Sequence, residues 1–593
     1  MRENQPLSNR SGTTRAVLDG RIDNRKELLD ALGLRESGDQ PTSAEILLAA
    51  YAAWGTACAQ KMAGDFAFVI WDSEKQRLFC ARDALGVRPF FYAFDGKTFL
   101  CGSFIRQLLV DKDVSRELDE EYMANFLVRG DCPSELTPYH GIKRLLGGWA
   151  IIIEGSRLKK LKYWDLDPRK TIRYANDAEY EEHFRMVFRD AVSARLRSRG
   201  PVAAELSGGL DSSSIVCMAQ KIYESGDVPD RGFCVLTRLF DRAVQAKESV
   251  FSRQVIEDYK LNVEYMPEEA HWPLQDHHDT ALYWDEPTIK GLYTATFKES
   301  ARRLHRRGAR VLLSGIGGDQ VFLGDTTVPI HLVDMFRTFH WMTLSRELKA
   351  WQKYLNRPML KMFLENCVKP FRHPNSMLLP AIQEAEPVPN WIEPALARKY
   401  DLKRRGARYG FLPRIYRSPA AQRQYLIIKR TSAPLLQWYL PTPRLEARYP
   451  YVDRRLVEFA MAIPMEQKLR VRETRSIVRR GMKGILPEIV RTRRSKASFD
   501  EATSLGLRKE FDRASQLTSS SCLASLGIVN RERFHAALEA ASLGLVQESW
   551  LFSAALSLEL WLNTLLRGQR VEPTALETAQ DNLTTYPPMQ SRA

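Results

Sequence analysis

Short apolar runs alternate with amphipathic stretches over the first part of this chain. The runs at 66–71 (FAFVIW) and 149–153 (WAIII) have the length and composition of buried strands, and the apolar spacing over 44–54 predicts a helix. Such a mixture, continuing to about residue 165, predicts an α+β layered domain.

The next part of the chain shows a regular strand–helix alternation. Buried strands are predicted at 202–206, 232–236 and 310–315, and amphipathic helices at 177–199 and 248–256. Strands alternating with helices predict a parallel, doubly wound α/β sheet. Ligands of such sheets bind at the carboxyl ends of the strands, so the segments that follow these strands are the candidate site.

A glycine turn joins the strand at 202–206 to a helix. Ser207, Gly208 and Gly209 form the turn, and helical spacing begins at Ser212. Such a turn aims backbone N–H groups and a helix N-terminus at one point, which attracts phosphate. No Lys-Ser/Thr follows the glycines and no third glycine completes G-x-G-x-x-G, so the common nucleotide loops are excluded. The carboxylate of Asp211 would repel a phosphate bound at this turn unless a cation lay between them. Mg²⁺ suits this position, because it is coordinated by both carboxylate and phosphate oxygens.

A second glycine turn follows the strand at 310–315. Its sequence is SGIGGDQVFLG over 314–324, and it contains Asp319. Asp211 and Asp319 would thus face each other from two strand ends, which together predict a metal site. A plain turn-forming role for Asp319 is the alternative.

Composition sets the broad class. The 593 residues suffice for roughly three or four domain-sized units, and 44% hydrophobic and 27% charged residues are ordinary for a soluble protein. No run of about 18 uncharged apolar residues and no apolar leader are present, so we expect a cytoplasmic protein without membrane attachment. The eight cysteines are scattered, as in a reduced protein. The net charge of +15 could attract nucleic acid, but a basic soluble enzyme without a nucleic-acid partner is favoured.

The first turn carries a family resemblance. Residues 207–213 (SGGLDSS) resemble the pyrophosphate loop of N-type ATP pyrophosphatases, in the form used by asparagine synthetases and their relatives. A serine- and glycine-rich surface turn is the alternative reading. The second turn resembles the S-G-x-G-[SG]-D segment of that family, which implies Mg²⁺ on Asp211 and Asp319. The resemblance implies ATP binding by Leu206, Ser207, Gly208, Gly209, Asp211, Ser212, Ser213, Val235, Ser314 and Gly315.

Further residues are assigned through the same resemblance. The stretch 472–499 resembles the family segment that ends in an Arg and a catalytic Lys, which places those roles on Arg493 and Lys496. A basic nucleic-acid-binding helix is the alternative there. The resemblance also predicts that Asp285, Glu286 and Glu248 contact the substrate. For residues 285–287, a loop that ends a helix or strand is an equally good interpretation. Residues 446–453 resemble E-x-R-x-P-[FY]-x-D, read first as structural polar pairs.

The first 168 residues resemble the glutaminase-like domain of class B asparagine synthetases. The resemblance rests on 19–24 (DGRIDN), 64–68 (GDFAF), 82–89 (RDALGVRP) and the closing Tyr-Trp at 163–164. That glutaminase uses a cysteine directly after the initiator Met, where this chain has Arg2, and Asp19-Gly20-Arg21 replaces Asn-Gly-Glu. We therefore expect a degenerate domain that releases no ammonia; a mis-assigned start is the alternative explanation. A ligase domain over 175–568 and a disordered tail over 569–593 complete the predicted organisation.

These resemblances predict an ATP-dependent amide ligase that works through an acyl-adenylate and requires Mg²⁺. Ile316 stands where asparagine synthetases carry a Glu and β-lactam synthetases a Tyr, and it can neither accept a proton nor bind ammonium. The chain looks most like lasso-peptide macrolactam synthetases, which join a peptide N-terminus to an Asp or Glu side chain. That reading implies a precursor peptide substrate, a leader-binding protein and a leader peptidase.

Four alternatives stay open from the sequence. An asparagine synthase-type enzyme using free ammonia would convert aspartate to asparagine, and a β-lactam-synthetase-like enzyme would close a small ring. A non-enzymatic scaffold is disfavoured because Asp211, Asp319 and Lys496 are all present. A tRNA-modifying pyrophosphatase shares the loop but would need catalytic cysteines or an RNA-binding module, which the sequence does not show.

Overall fold

The computed structural model describes most of the chain and carries side chains. The described residues are 4–34, 41–130, 134–239, 249–267, 270–275, 284–324, 329–372, 388–403, 415–431, 445–494, 500–545 and 549–568.

Two antiparallel sheets form the N-terminal domain. The six-stranded sheet has the order β1-β2-β3-β4-β8-β9 and the three-stranded sheet the order β6-β5-β7. The strands are β1 Leu7–Ser8, β2 Thr14–Ile22, β3 Gly64–Asp72, β4 Arg77–Arg82, β5 Phe91–Phe94, β6 Phe99–Gly102, β7 Lys143–Arg144, β8 Trp149–Glu154 and β9 Arg157–Lys162. The apolar runs at 66–71 and 149–153 lie within β3 and β8, as the pattern predicts.

Short helices pack around these two sheets. Thr42 caps the longest of them by accepting a hydrogen bond from the Glu45 backbone N–H, while the Glu45 side chain bonds back to Thr42 N–H. The helices are α1 Arg25–Ala31, α2 Ser43–Trp54, a 3₁₀ turn Gly55–Ala57, α3 Cys58–Lys61, α4 Ile105–Leu108 and α5 Glu120–Arg129.

A five-stranded parallel sheet organises the second domain, in the order β12-β11-β10-β13-β14. Its strands are β10 Val202–Glu205, β11 Phe233–Leu239, β12 Val263–Pro267, β13 Val311–Leu313 and β14 Glu446–Arg448. A short hairpin, β15 Leu469–Arg470 and β16 Glu473–Thr474, follows. The chain builds outward from β10 in one direction and returns on its other side with β13. The crevice where the strand order reverses therefore lies beyond the ends of β10 and β13.

Helices surround this sheet and form a C-terminal bundle. They are α6 Asp177–Leu196, α7 Leu210–Glu224, α8 Ser249–Tyr259, a 3₁₀ turn Ile289–Tyr293, α9 Thr294–Arg306, α10 Gly318–Phe322, α11 Leu332–Arg337, α12 Trp341–Leu355, α13 Met359–Phe363, a π turn Leu364–Val368, α14 Lys369–Arg372, α15 Pro394–Lys399, α16 Pro419–Thr431, a 3₁₀ turn Pro450–Val452, α17 Arg454–Ala462, α18 Met465–Lys468, α19 Ser476–Gly481, α20 Glu488–Arg491, α21 Asp500–Lys509, α22 Phe511–Ser519, α23 Cys522–Ser525, α24 Arg531–Ser542 and α25 Ser549–Gly568.

Buried ion pairs join the two domains. Arg195 on α6 donates to Asp453 Oδ2 at 2.8 Å and to Asp65 Oδ1 of β3 at 3.3 Å, and its side chain is 1% exposed. Arg21 of β2 donates to the same Asp65 carboxylate at 2.6 Å. The hydrophobic core is continuous across this junction, from Phe68 to Phe184. Such a junction fixes one domain against the other.

The architecture is the predicted one: an α+β domain followed by an α/β domain built on a parallel sheet. The predicted boundaries at 168 and 175 fall in the connection between β9 and α6. No helix in the described part of the chain has both the length and the apolar character needed to cross a bilayer. The predicted disordered tail at 569–593 lies outside the described residues.

Candidate active site

The first glycine turn folds as a rigid loop between β10 and α7. Gly208 has φ +75°, a conformation that glycine adopts without strain. Ser207 N–H donates to Ser212 Oγ at 3.2 Å, and Gly209 N–H donates to Ser207 Oγ at 3.3 Å. Gly209 precedes α7 and has no side chain to cap it, so the N-terminus of α7 begins directly at the turn.

The second turn packs directly against the first. Ser314, immediately after β13, donates its hydroxyl to Glu205 Oε2 at the end of β10, at 2.6 Å. A Cβ built on Gly318 would lie 2.4 Å from Asp211 Cγ, and one on Gly315 would lie 3.0 Å from Ser212 N. A side chain at Gly318 would collide with Asp211 and one at Gly315 would press on Ser212, so the two glycines let the turns approach closely.

Replacing Gly318 by Ala is expected to lower the rate of pyrophosphate formation about 10-fold or more. The added methyl group must displace the Asp211 carboxylate, and a shift of about 1 Å at a reacting centre can cost a factor of this size. Steady-state pyrophosphate release at saturating ATP measures the effect. Gly291→Ala is the matched control, because the nearest atom to its new Cβ would be Thr288 Cγ2 at 4.0 Å; an equal loss in both variants would contradict the explanation.

The carboxylates of Asp211 and Asp319 share one positively charged side chain, that of Arg475. Arg475 Nη1 lies 2.7 Å from Asp211 Oδ2 and 2.7 Å from Asp319 Oδ1. The three side chains are only 12 to 18% exposed. Arg475 itself has φ +55°, which is strained for a non-glycine residue. The carboxylates that the sequence predicts to face each other are therefore brought together at the strand-order reversal.

This arrangement suits a hard divalent cation. A positive group already bridges the two carboxylates, so their oxygens converge on one point. Within the described ranges no cluster of three or more metal-ligating side chains is found. Mg²⁺ is commonly held by one or two carboxylates, with phosphate oxygens and water completing its shell. The donor set of Asp211 and Asp319 fits that pattern.

Arginines give the crevice a positive potential. Arg493 Nη1 donates to the Gly208 carbonyl at 3.1 Å, and its guanidinium lies 4.3 Å above the Phe251 ring. Burial, together with nearby Arg475, lowers the pKa of Arg479 to about 10. Arginines gathered around two glycine turns favour an anionic ligand with several charges.

Arg475 is the site residue that the sequence reasoning missed. It lies in the stretch 472–499, where the resemblance assigns roles to Arg493 and Lys496, but its spacing does not distinguish it from the other arginines there. Its position depends on the hairpin of β15 and β16, which carries the chain back to the carboxyl ends of β10 and β13.

The other predicted ATP-binding residues lie on or next to β10, β11 and α7. Leu206 N–H donates to the Leu236 carbonyl at 2.9 Å, and Val235 pairs with Ala204 in the centre of the sheet. Ser213 is fully buried on α7. Lys496 and Glu248 fall outside the described residues.

Asp285 and Glu286 contact the N-terminal domain. Asp285 Oδ2 accepts a hydrogen bond from Ile105 N–H at 2.7 Å, and its Oδ1 accepts one from Arg106 Nε at 2.8 Å. Glu286 is buried in an ion pair with Arg144. Both carboxylates are thus engaged in the described structure by the domain that precedes them, and a substrate role for either remains a prediction.

Comparisons with known proteins agree with this architecture. The asparagine synthase family matches residues 183–563, and the glutamine amidotransferase domain family matches residues 1–164.

Three curated proteins illustrate the similarity. A glutamine-hydrolyzing asparagine synthetase 3 of Bacillus subtilis is 28% identical over 491 residues, which is 80% of this chain and 73% of that protein. A putative asparagine synthetase 2 of Methanocaldococcus jannaschii is 32% identical over 52% of this chain and 59% of its own length. Amidase chyE of Penicillium rubens is 29% identical over 54% of this chain and 48% of its own length. The last two matches span only about half of each relative.

Proposed function

The chain belongs to the asparagine synthase family and is an ATP-dependent carbon–nitrogen ligase, and from this premise we propose that it joins a carboxylate and an amine of one peptide substrate. The ring closed would be a macrolactam between a peptide N-terminus and an Asp or Glu side chain. The observation that carries the catalytic part is the convergence of Asp211 and Asp319 between two glycine turns.

Activation of the carboxylate is the first step. An oxygen of the substrate carboxylate attacks the α-phosphorus of ATP, the bond to the β-phosphate oxygen breaks, and acyl-AMP and pyrophosphate form. The N–H groups at the start of α7 would bind phosphate oxygens. Mg²⁺ held by Asp211 and Asp319 would supply neutralising charge to those oxygens. Arg475 and Arg493 place further positive charge beside the departing pyrophosphate.

Amide formation is the second step. The substrate amine attacks the acyl carbon, AMP leaves, and the amine loses a proton to solvent. A peptide α-amine has a pKa of about 8, so a useful fraction is unprotonated at neutral pH. Ile316 in the second turn is only partly buried against the core and has no group that could take a proton or hold ammonium. Positioning of the amine, rather than side-chain acid–base chemistry, would then carry this step.

The N-terminal domain would serve as a structural partner of the ligase domain. Cys58 and Cys80 are buried, and burial raises the pKa of the Cys58 thiol to about 12, which leaves it without nucleophilic character. Arg21, which stands where the glutaminase pattern has Glu, is buried against Asp65. These features favour a domain that holds the assembly together over one that hydrolyses glutamine.

A product assay tests the proposal. The purified chain is incubated with ATP, Mg²⁺ and a candidate peptide that carries a free N-terminus and an internal Asp or Glu. We expect a product 18 Da lighter than the peptide, with one AMP and one pyrophosphate per ring and no dependence on glutamine. A second peptide with an acetylated N-terminus is the control, because it can be adenylated but cannot close the ring.

Asparagine synthesis is the second candidate function. Two of the relatives described above are named as asparagine synthetases, and their similarity supports this reading equally. Asparagine formed from aspartate, ATP and either ammonia or glutamine would establish it and would defeat the peptide proposal. The peptide proposal in turn implies a precursor peptide, a leader-binding protein and a leader peptidase as partners.

A further inference from the structure

One arginine nitrogen occupies the space between the two acidic side chains of the site. Arg475 Nη1 lies 2.7 Å from an oxygen of Asp211 and 2.7 Å from an oxygen of Asp319. A Mg²⁺ ion that both carboxylates coordinate has to lie between them as well, because its bonds to oxygen are only about 2.1 Å long. The guanidinium and the ion therefore compete for the same position.

Backbone packs directly against each of these carboxylates. A Cβ built on Gly318 would lie 2.4 Å from Asp211 Cγ, and one built on Gly324 would lie 1.8 Å from Asp319 Oδ1. Both acidic side chains are also mostly buried. The gap between them consequently has little freedom to widen and to accept a second cation beside the first.

The backbone of Arg475 is fixed, whereas its side chain has other conformations to adopt. Its carbonyl accepts hydrogen bonds from Val478 N–H at 3.0 Å and from Arg479 N–H at 3.1 Å, at the start of α19. The long side chain can still rotate about its own staggered bonds. A guanidinium pairs well with phosphate oxygens, so a phosphate bound at the glycine turns would offer Arg475 new partners in place of the carboxylates.

The local charge disfavours a free divalent ion. The two carboxylates carry two negative charges, and Arg475 already balances one of them. Arg479 adds positive charge nearby and is held there by the Thr474 carbonyl, to which its Nε donates at 3.1 Å. Like charges a few ångströms apart repel strongly where burial limits screening by solvent. Phosphate groups would supply the negative charge that offsets this repulsion.

We propose that Arg475 excludes a free divalent ion from Asp211 and Asp319, so that Mg²⁺ enters this site only together with the phosphates of a nucleotide. Arg475 is then a positioning residue that couples metal binding to nucleotide binding. The inference rests on the proposed role of the two carboxylates as metal ligands, and it adds the residue that controls their occupancy.

Binding of Mn²⁺ to the full chain without nucleotide tests the exclusion. The probe is the electron paramagnetic resonance signal of free Mn²⁺, which falls as the ion binds. We expect Arg475→Met to bind Mn²⁺ about 10-fold more tightly than the wild type, or better, because a positive charge beside the ion is removed. Arg475→Lys keeps that charge and should match the wild type. Equal affinities of the wild type and Arg475→Met, or an Arg475→Lys affinity as high as that of Arg475→Met, would overturn the proposal.

Arg472→Met is the matched control. Arg472 is an exposed residue of the same hairpin, its guanidinium lies over the Tyr354 ring, and its φ of +65° is close to the +55° of Arg475. The substitution therefore makes the same change in net charge at a similar backbone conformation. Its Mn²⁺ affinity should equal that of the wild type, and a gain as large as in Arg475→Met would show a general effect of charge.

Thermal unfolding provides a second readout that needs no variant. At matched ionic strength, Mg²⁺ alone should leave the wild-type midpoint unchanged. Mg²⁺ with α,β-methylene-ATP should raise it by about 2 °C or more, because a ligand that binds only the folded state stabilises it. An equal rise with Mg²⁺ alone would contradict the exclusion.

The double variant Arg475→Met with Asp319→Asn separates the two ways in which the inference can fail. We expect it to lose the tight Mn²⁺ binding gained in Arg475→Met. If it keeps that binding, the ion lies elsewhere and the metal-site assignment is wrong. If Arg475→Met gains no affinity while Asp319→Asn alone still raises the Mg²⁺ requirement for pyrophosphate release, the assignment stands and only the exclusion by Arg475 is wrong.

Discussion

Asp211→Asn and Asp319→Asn are each expected to lower pyrophosphate formation by about 100-fold or more. Asn keeps the shape of the side chain but removes the negative charge that pairs with Arg475. Loss of one electrostatic contact at a reacting centre typically lowers the rate by about 100-fold or more. The apparent Mg²⁺ requirement should rise in parallel, because one carboxylate fewer remains to hold the ion. Folding should be retained, since in both variants Arg475 keeps the other carboxylate as a partner.

The assay for these variants follows pyrophosphate release at several Mg²⁺ concentrations, with whichever carboxylate substrate supports turnover. Asp258→Asn is the matched control, because Asp258 is an exposed residue of α8 paired with Gln254. Full activity in either site variant would show that the two carboxylates do not form the metal site. A loss of equal size in the control would point to a general defect.

Arg195→Met is expected to destabilise the chain by about 3–5 kcal/mol. Removing one member of a buried ion cluster leaves its partners charged and uncompensated. A buried charge without a counter-charge strongly lowers the free energy of unfolding. Arg195 is bonded to Asp453 and Asp65, and neither carboxylate is more than 4% exposed. Burial alone would raise the pKa of Asp453, but Arg195 and Arg455 bring it well below its usual range, so this carboxylate stays charged in the fold.

Urea denaturation followed by tryptophan fluorescence measures this loss. Arg189→Met on the same helix is the control, because its ion pair with Asp227 is exposed and such pairs contribute less than about 1 kcal/mol. Since Arg195 joins the two domains, the Met variant is also expected to unfold in two separated transitions. A single transition at the wild-type urea concentration would contradict the assigned role of the cluster.

Local patterns were enough to predict the elements of the site. The apolar run before Ser207 and the helical spacing after it correspond to β10 and α7, and the glycines of the second turn are explained by the contact of Gly318 with Asp211. The sequence predicts structural polar pairs at Glu446, Arg448 and Asp453, and the structure shows all three in ion pairs. Burial would raise the pKa of Glu446, but Arg448 and Arg88 lower it to about 2.

Contacts between distant segments could not be predicted in the same way. Arg475 reaches Asp211 across 264 residues, and Asp285 reaches Arg106 across 179. The sequence gives no signal for either pair, because an arginine in a basic stretch and an aspartate in a loop are equally compatible with exposed positions.

The sequence alone determined which segments form strands and helices, where glycine turns interrupt them, and which acidic residues stand beside those turns, since each depends on neighbours within a few positions. Only the tertiary structure decided which positively charged side chain those acids share and how the two domains are joined by buried charge. These depend on the order of strands in the sheet and on the path of the connections, and a linear pattern of polar and apolar residues does not encode either one locally.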